Sequence, residues 1–180
     1  MEALCVFCGA NPGRRPAYRE AARRVGELLA ERGITLVYGG GNVGLMGALA
    51  DACLGANGRV IGVIPRALAE KEIAHQGLSE MHVVASMHER KALMAELSDA
   101  FIAAPGGYGT LDEFCEILTW TQLGLQRKPI GMLNVDGYFD RLLALFDHAV
   151  TEQFVKPMHR DMIVTDDTPQ SLIARMRVPG

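Results

Sequence analysis

Apolar and polar positions along this chain fall into blocks whose period changes repeatedly. Ala3–Cys8 is a short, almost unbroken apolar run ending at Gly9, which predicts a strand. From Pro16 to Arg32, Ala21, Val25, Leu28 and Leu29 recur at helical spacing before Gly33, which predicts an amphipathic helix with a glycine stop. The alternation continues with a strand at Ile34–Tyr38, a helix at Val43–Ala56 and a strand at Arg59–Ile64 halted by Pro65. A polar connection containing Glu70-Lys71-Glu72 and His75-Gln76-Gly77 leads to a short strand, His82–Ala85, and a helix, Met87–Leu97. Ala100–Ala104 reads as a strand ended by Pro105, followed by a helix that Gly109 or Thr110 opens and that runs to Leu123. A strand at Ile130–Asn134, a helix at Tyr138–Thr151, a small strand at Met162–Val164 and a helix at Pro169–Met176 complete the pattern.

Strands that are apolar throughout, separated by helices, predict a parallel sheet covered on both faces. No linker, repeat or low-complexity segment interrupts the order, so residues 1–180 read as one doubly wound α/β domain. In such folds the ligand binds beyond the carboxyl ends of the strands, where the strand-to-helix loops gather.

Composition sharpens this in a few places. The net charge of −3 argues against a surface built for nucleic acid, which needs a basic field. No apolar stretch is long enough to span a bilayer, and Met1-Glu2-Ala3-Leu4-Cys5 lacks a basic signal-peptide start, so a cytoplasmic protein with no membrane partner is expected. Cys5 and Cys8 have C-x-x-C spacing, but on a strand residues three apart point to opposite faces. They read as buried small hydrophobes rather than a redox or zinc pair. The five histidines show no metal-ligand spacing, so no metal site is expected. Trp120 is open between core and oligomer contact.

Glycine is the exception to an ordinary composition: eight of the 20 fall in two strand-to-helix loops. In the first, Gly39, Gly41 and Gly44 satisfy G-x-G-x-x-G. Two readings are open, a phosphate or ribose cradle at a helix N-terminus, and a tight turn with close helix–sheet packing. A dinucleotide site would also need an acid at the end of the next strand, where Ile64-Pro65-Arg66 stands, so NAD is disfavoured. In the second loop, Pro105-Gly106-Gly107-Tyr108-Gly109-Thr110, three glycines in four positions allow close backbone approach to an anion. Thr110 and Glu113 have capping-box spacing, which is the bland reading of the pair; the functional one is a carboxylate in the first helical turn, held ionised by the helix dipole beside any phosphate bound at that terminus. Ser86 and Glu89 form another such pair. Arg90 and Lys91 then lie in the first turn of a helix, where cations are unfavourable. They read either as a solvated face or as contacts to an anionic ligand, with Arg90 suited to bidentate binding.

Taken together, Tyr38-Gly39-Gly40-Gly41 with Gly44-Leu45-Met46-Gly47, Met87-His88-Glu89-Arg90-Lys91, and Pro105 through Glu113 resemble the LONELY GUY family, often mislabelled as lysine decarboxylases. The similarity continues through Thr119-Trp120-Thr121-Gln122-Leu123-Gly124 and Lys128-Pro129-Ile130-Gly131 to Asn134-Val135-Asp136-Gly137-Tyr138. Asp112 and Thr121 depart from the glutamate and alanine that the family often has. The resemblance implies a Rossmann-like fold, a homodimer and no cofactor. The implied reaction is hydrolysis of the N-glycosidic bond of an N6-substituted adenosine 5′-monophosphate to free base and ribose 5-phosphate. It implies Arg90 and Glu113 as the catalytic pair. Implied substrate contacts are Glu72, Lys91, Gly107, Tyr108, Gly109, Thr110 and Thr119, with Gly40 and Gly41 of the first loop.

Overall fold

The computed structural model describes residues 1–69 and 74–176. Seven strands form one parallel sheet: β1 (Ala3–Phe7), β2 (Thr35–Tyr38), β3 (Val60–Pro65), β4 (Glu80–Val84), β5 (Ala100–Ala103), β6 (Ile130–Leu133) and β7 (Ile163–Asp166). Their order is β4-β3-β2-β1-β5-β6-β7, so the chain starts in the middle, winds outward one way, then returns to β1 and winds the other. The reversal lies between β1 and β5, which pair in register from Leu4–Ala100 to Phe7–Ala103.

The helices are α1 (Pro16–Glu31), α2 (Gly44–Gly55), α3 (Arg66–Ala69), α4 (Met87–Glu96), α5 (Tyr108–Gln122), α6 (Asp140–Thr151), α7 (Pro157–Arg160) and α8 (Pro169–Arg175). Alternate strand residues feed two cores, as the pleat requires. Leu4, Val6 and Cys8 pack with α1, α2 and α8, whereas Cys5 and Phe7 pack with α4, α5 and α6 on the other face. The two cysteines therefore face apart as expected, and burial raises both thiols well above the ordinary range. Residues Ala21, Val25, Leu28 and Leu29 form the buried stripe of α1. Trp120 packs at the margin of the α5 core. Among the described residues, no helix is long and apolar enough to cross a membrane, and no three His, Cys, Asp or Glu side chains cluster as a metal site would require.

Several boundaries differ from the sequence pattern, for local reasons. Pro65 does not halt β3 but ends it, paired with Val84. The pairing of β3 with β2 already stops at Gly62, so Pro65 has no ladder bond to lose on that side. Helix α5 starts one residue before Gly109, with Gly107 as its N-cap. Before α6, Val135–Gly137 is a tight turn set apart from that helix, because Asp136 and Gly137 take left-handed φ values of 51° and 70° that no right-handed helix continues through. The short helices α3 and α7 lack the length to leave a periodic signal.

Candidate active site

A cavity of about 430 Å³ opens at the reversal point between β1 and β5. That is the crevice where doubly wound sheets bind ligands. Its walls come from the chain after β1 (Cys8 to Asn11), from Tyr18 of α1, from Gly39 after β2 and from the Pro105–Gly107 turn after β5. Arg90, Thr110 and Glu113 face it from α4 and α5.

The two glycine loops end differently. At the start of α2, the N–H groups of Leu45 and Met46 both donate to the Gly9 carbonyl, at 3.0 and 3.4 Å. A Cβ on Gly44 would land on the Ala10 carbonyl, so the loop is pressed against the chain after β1. This helix end is spent on packing, which decides the first loop in favour of the close turn. At α5 the N-cap is Gly107, which has no side chain to cap with. The first N–H groups of a helix have no partner within it. Those of α5 begin at Gly107, Gly109 and Thr110, which line the cavity. This end is free for an anion, with the helix dipole behind it.

The capping-box reading of Thr110 and Glu113 fails, because the helix begins earlier: Thr110 is its third residue and Glu113 its sixth. Thr110, Glu113, Phe114 and Ile117 form one buried stripe, so two polar residues head a face that otherwise packs the core. Ser86 does cap α4, its hydroxyl accepting from the Glu89 N–H at 3.1 Å, while the Glu89 carboxylate accepts from the Ala85 N–H at 2.9 Å.

Arg90 is no solvated cation; it is 7% exposed. Its Nε donates to the Val63 carbonyl and its Nη2 to the Gly39 carbonyl, both at 3.1 Å. Two strand ends thus fix the guanidinium plane. Its Nη2 also lies 3.9 Å from Glu113 Oε1. Glu113 is 8% exposed. Burial, only partly opposed by the Arg90 charge, pushes its carboxyl from the ordinary 4.5 up to about 7. The expectation that a helix dipole holds it ionised is corrected: it lies past the first turn and desolvation dominates.

A stability consequence follows. Unfolded Glu113 ionises at its ordinary value and folded Glu113 only near 7, so the buried neutral acid favours the fold fully below about 4.5 and loses that advantage as the pH rises through 7. Denaturant unfolding should show the Glu113→Gln variant gaining on the parent by about 3 kcal/mol between pH 4.5 and 8. A constant difference across that range would refute the raised carboxyl.

Residues 46–176 match the family described as "Possible lysine decarboxylase". Over 173 residues the chain is 51% identical to the cytokinin riboside 5′-monophosphate phosphoribohydrolase LOG7 of Arabidopsis thaliana, covering 96% of this chain and 80% of that protein. It is 53% identical to the probable phosphoribohydrolase LOGL1 of Oryza sativa subsp. japonica, over 96% of this chain and 78% of that one. The chain belongs to the cytokinin riboside 5′-monophosphate phosphoribohydrolase family. Among solved structures, the molybdenum cofactor binding protein of Rippkaea orientalis superposes with a TM-score of 0.71 at 25% identity, over 96% of this chain and 93% of that one. The carrier protein from Chlamydomonas reinhardtii, at 19% identity and the same TM-score, shares the fold.

Of the positions that the family resemblance marks, the cavity gathers Arg90, Gly107, Gly109, Thr110 and Glu113. Lys91 lies outside it, its ammonium 3.2 Å from Asp112 and 3.1 Å from Glu116. Tyr108 is 93% exposed, and the Thr119 hydroxyl donates to the Cys115 carbonyl one turn back. Gly40 and Gly41 hold the chain before β4 instead: the Gly40 carbonyl accepts from the His75 N–H at 3.1 Å, and Gly41 bridges Ala74. Glu72 lies outside the described residues. Cys8, Asn11 and Tyr18 also line the cavity, and no motif marked them as site residues. Their one sequence signal is position, in the connection after the first strand of a doubly wound sheet and the first turn of the helix that follows.

Proposed function

We propose that this chain hydrolyses the N-glycosidic bond of adenosine 5′-monophosphates carrying an N6 substituent, giving the free base and ribose 5-phosphate. Half-identity to phosphoribohydrolases over nearly the whole chain supports the reaction class. The observation that carries the chemistry is the buried Glu113 carboxyl 3.9 Å from a guanidinium, in a cavity headed by an open helix N-terminus.

The 5′-phosphate takes the N–H groups at the start of α5, which turns remote binding energy into positioning. Cleavage sends the bonding electrons out with the base and builds positive charge on the ribose. Glu113 stabilises that charge as a carboxylate and takes the proton of the water that adds to the anomeric carbon. A carboxyl with a pKa of about 7 can accept that proton and give it up again near neutral pH, and through solvent it ends on the nitrogen of the base that left with the bonding electrons. Arg90, held by two backbone carbonyls, keeps Glu113 partly ionised and polarises the leaving group without moving.

The reading includes a cytoplasmic homodimer, which the exposed Leu123 and Leu125 at the end of α5 support. Lys91 does not suit decarboxylation through a lysine Schiff base. Burial works against the charge of Lys91, but hydrogen bonds to Glu116 and Asp112 outweigh it and raise the ammonium above its ordinary pKa, whereas that chemistry needs a neutral amine. Incubation with AMP and with N6-isopentenyl-AMP, followed by chromatography, should yield base and ribose 5-phosphate in equal amounts. Tight nucleotide binding with no base released would replace hydrolysis with a carrier or sensor role.

A further inference from the structure

The Asn134-Val135-Asp136-Gly137-Tyr138 segment has no part in the chemistry above, yet it is built with care. Asn134 closes it twice, its Oδ1 accepting from the Phe139 N–H and its Nδ2 donating to Asp140, both at 2.7 Å. Asp136 sits at a positive φ of 51°, a conformation that costs a non-glycine residue free energy. The outcome of this turn is the place of one side chain. Tyr138 reaches across the cavity from the far side of β5, and its hydroxyl donates to the Gly106 carbonyl. Its ring is braced by Phe139 at 4.9 Å and by Tyr18 at 5.4 Å, both edge to face.

Gly106 is the residue through which the second glycine loop enters α5. It has no room to spare: a Cβ there would land on the Thr110 side chain and lie 2.9 Å from the Gly9 nitrogen. The peptide joining Gly106 to Gly107 is planar, with its C=O and N–H pointing in opposite directions. Fixing the Gly106 carbonyl therefore fixes the direction of the Gly107 N–H, a donor at the cavity-facing end of α5. We infer that Tyr138 is a positioning residue: its hydroxyl sets the tilt of the 106–107 peptide and so aims the Gly107 N–H at the phosphate. This rests on the reading of α5 as the phosphate site, and it gives the N-V-D-G-Y turn a task that no contact with the reacting atoms would reveal. Without the hydroxyl, the peptide can rotate and its donor must be reordered each time an anion binds.

The test uses Tyr138→Phe, which keeps the ring packing and removes only the donor, in both the parent and the Glu113→Gln background. Calorimetry measures AMP and adenosine, and phosphorus NMR follows inorganic phosphate. AMP and phosphate should each bind about five- to tenfold more weakly, adenosine within twofold of the parent, at an unchanged melting temperature. Equal weakening of AMP and adenosine would mean a general loosening of the cavity and overturn the inference, as would unchanged phosphate affinity. Loss of phosphate binding in a protein that never binds AMP would uphold Tyr138 while removing the nucleotide reading. Parent protein that binds neither phosphate nor AMP would overturn both.

Discussion

The Glu113→Gln variant is expected to lose about a thousandfold in kcat while binding AMP within about threefold of the parent. Glutamine keeps the shape and the hydrogen-bonding capacity of the side chain but has neither a charge to offer a developing cation nor a site for a proton. The proposed anion contacts are backbone N–H groups at the start of α5, which the substitution leaves intact. Removing the buried acid also relieves the desolvation that raises its pKa, so the variant should be at least as stable as the parent at neutral pH. The pairing of lost turnover with kept stability separates a chemical role from a packing one. In the parent, kcat/KM should rise with pH through an ionisation near 7, after the titration of the substrate phosphate is measured separately. Undiminished turnover in the variant would remove Glu113 from the mechanism.

Gly39→Ala should be nearly as damaging, although the new atom touches no substrate. A Cβ at this position would land on Arg90 Nη2 and lie 3.2 Å from both Arg90 Cζ and Met46 Sδ. A long side chain can normally swing away from a methyl group. Arg90 cannot do so without giving up the Gly39 and Val63 carbonyls, each 3.1 Å from its nitrogens. The guanidinium therefore shifts by about an ångström, and misplacement of that size costs about a hundredfold in kcat/KM. The fold should survive, with a stability loss of about 1–3 kcal/mol from the broken hydrogen bonds. Steady-state kinetics with melting curves would check both parts. Near-parental kinetics would mean that Arg90 does not have to stay where the strand ends hold it.

The architecture was legible because parallel strands are buried on both faces and so appear as solid apolar runs. Val60–Ile64, wholly buried, could hardly be anything else. What the pattern missed were places where local chemistry depends on a neighbour distant in sequence. Nothing in Pro65 itself tells that β2 has already ended beside it. The T-x-x-E spacing at Thr110 is a sound capping signal in isolation, but an earlier glycine starts the helix and turns both residues inward. The same limit applies to the site. Arg90 and Lys91 look alike in sequence, and only the fold sends one between two strand ends and the other between Asp112 and Glu116. The mixed stripe of Thr110, Glu113, Phe114 and Ile117 was the better clue: polar side chains on a core-facing helical stripe need a partner or a ligand.

A cavity walled so largely by backbone limits how such a protein can diversify. At Gly39, Gly44 and Gly106 any side chain would collide with the Arg90 guanidinium, the Ala10 carbonyl or Thr110. These positions therefore cannot serve as dials for selectivity; variation there is lethal to the site rather than informative. The adjustable part of the lining is a pair of flexible side chains, Met46 and Met87. Directed evolution toward bases of different bulk should accumulate its changes at those two positions, while the glycines stay fixed in every surviving lineage.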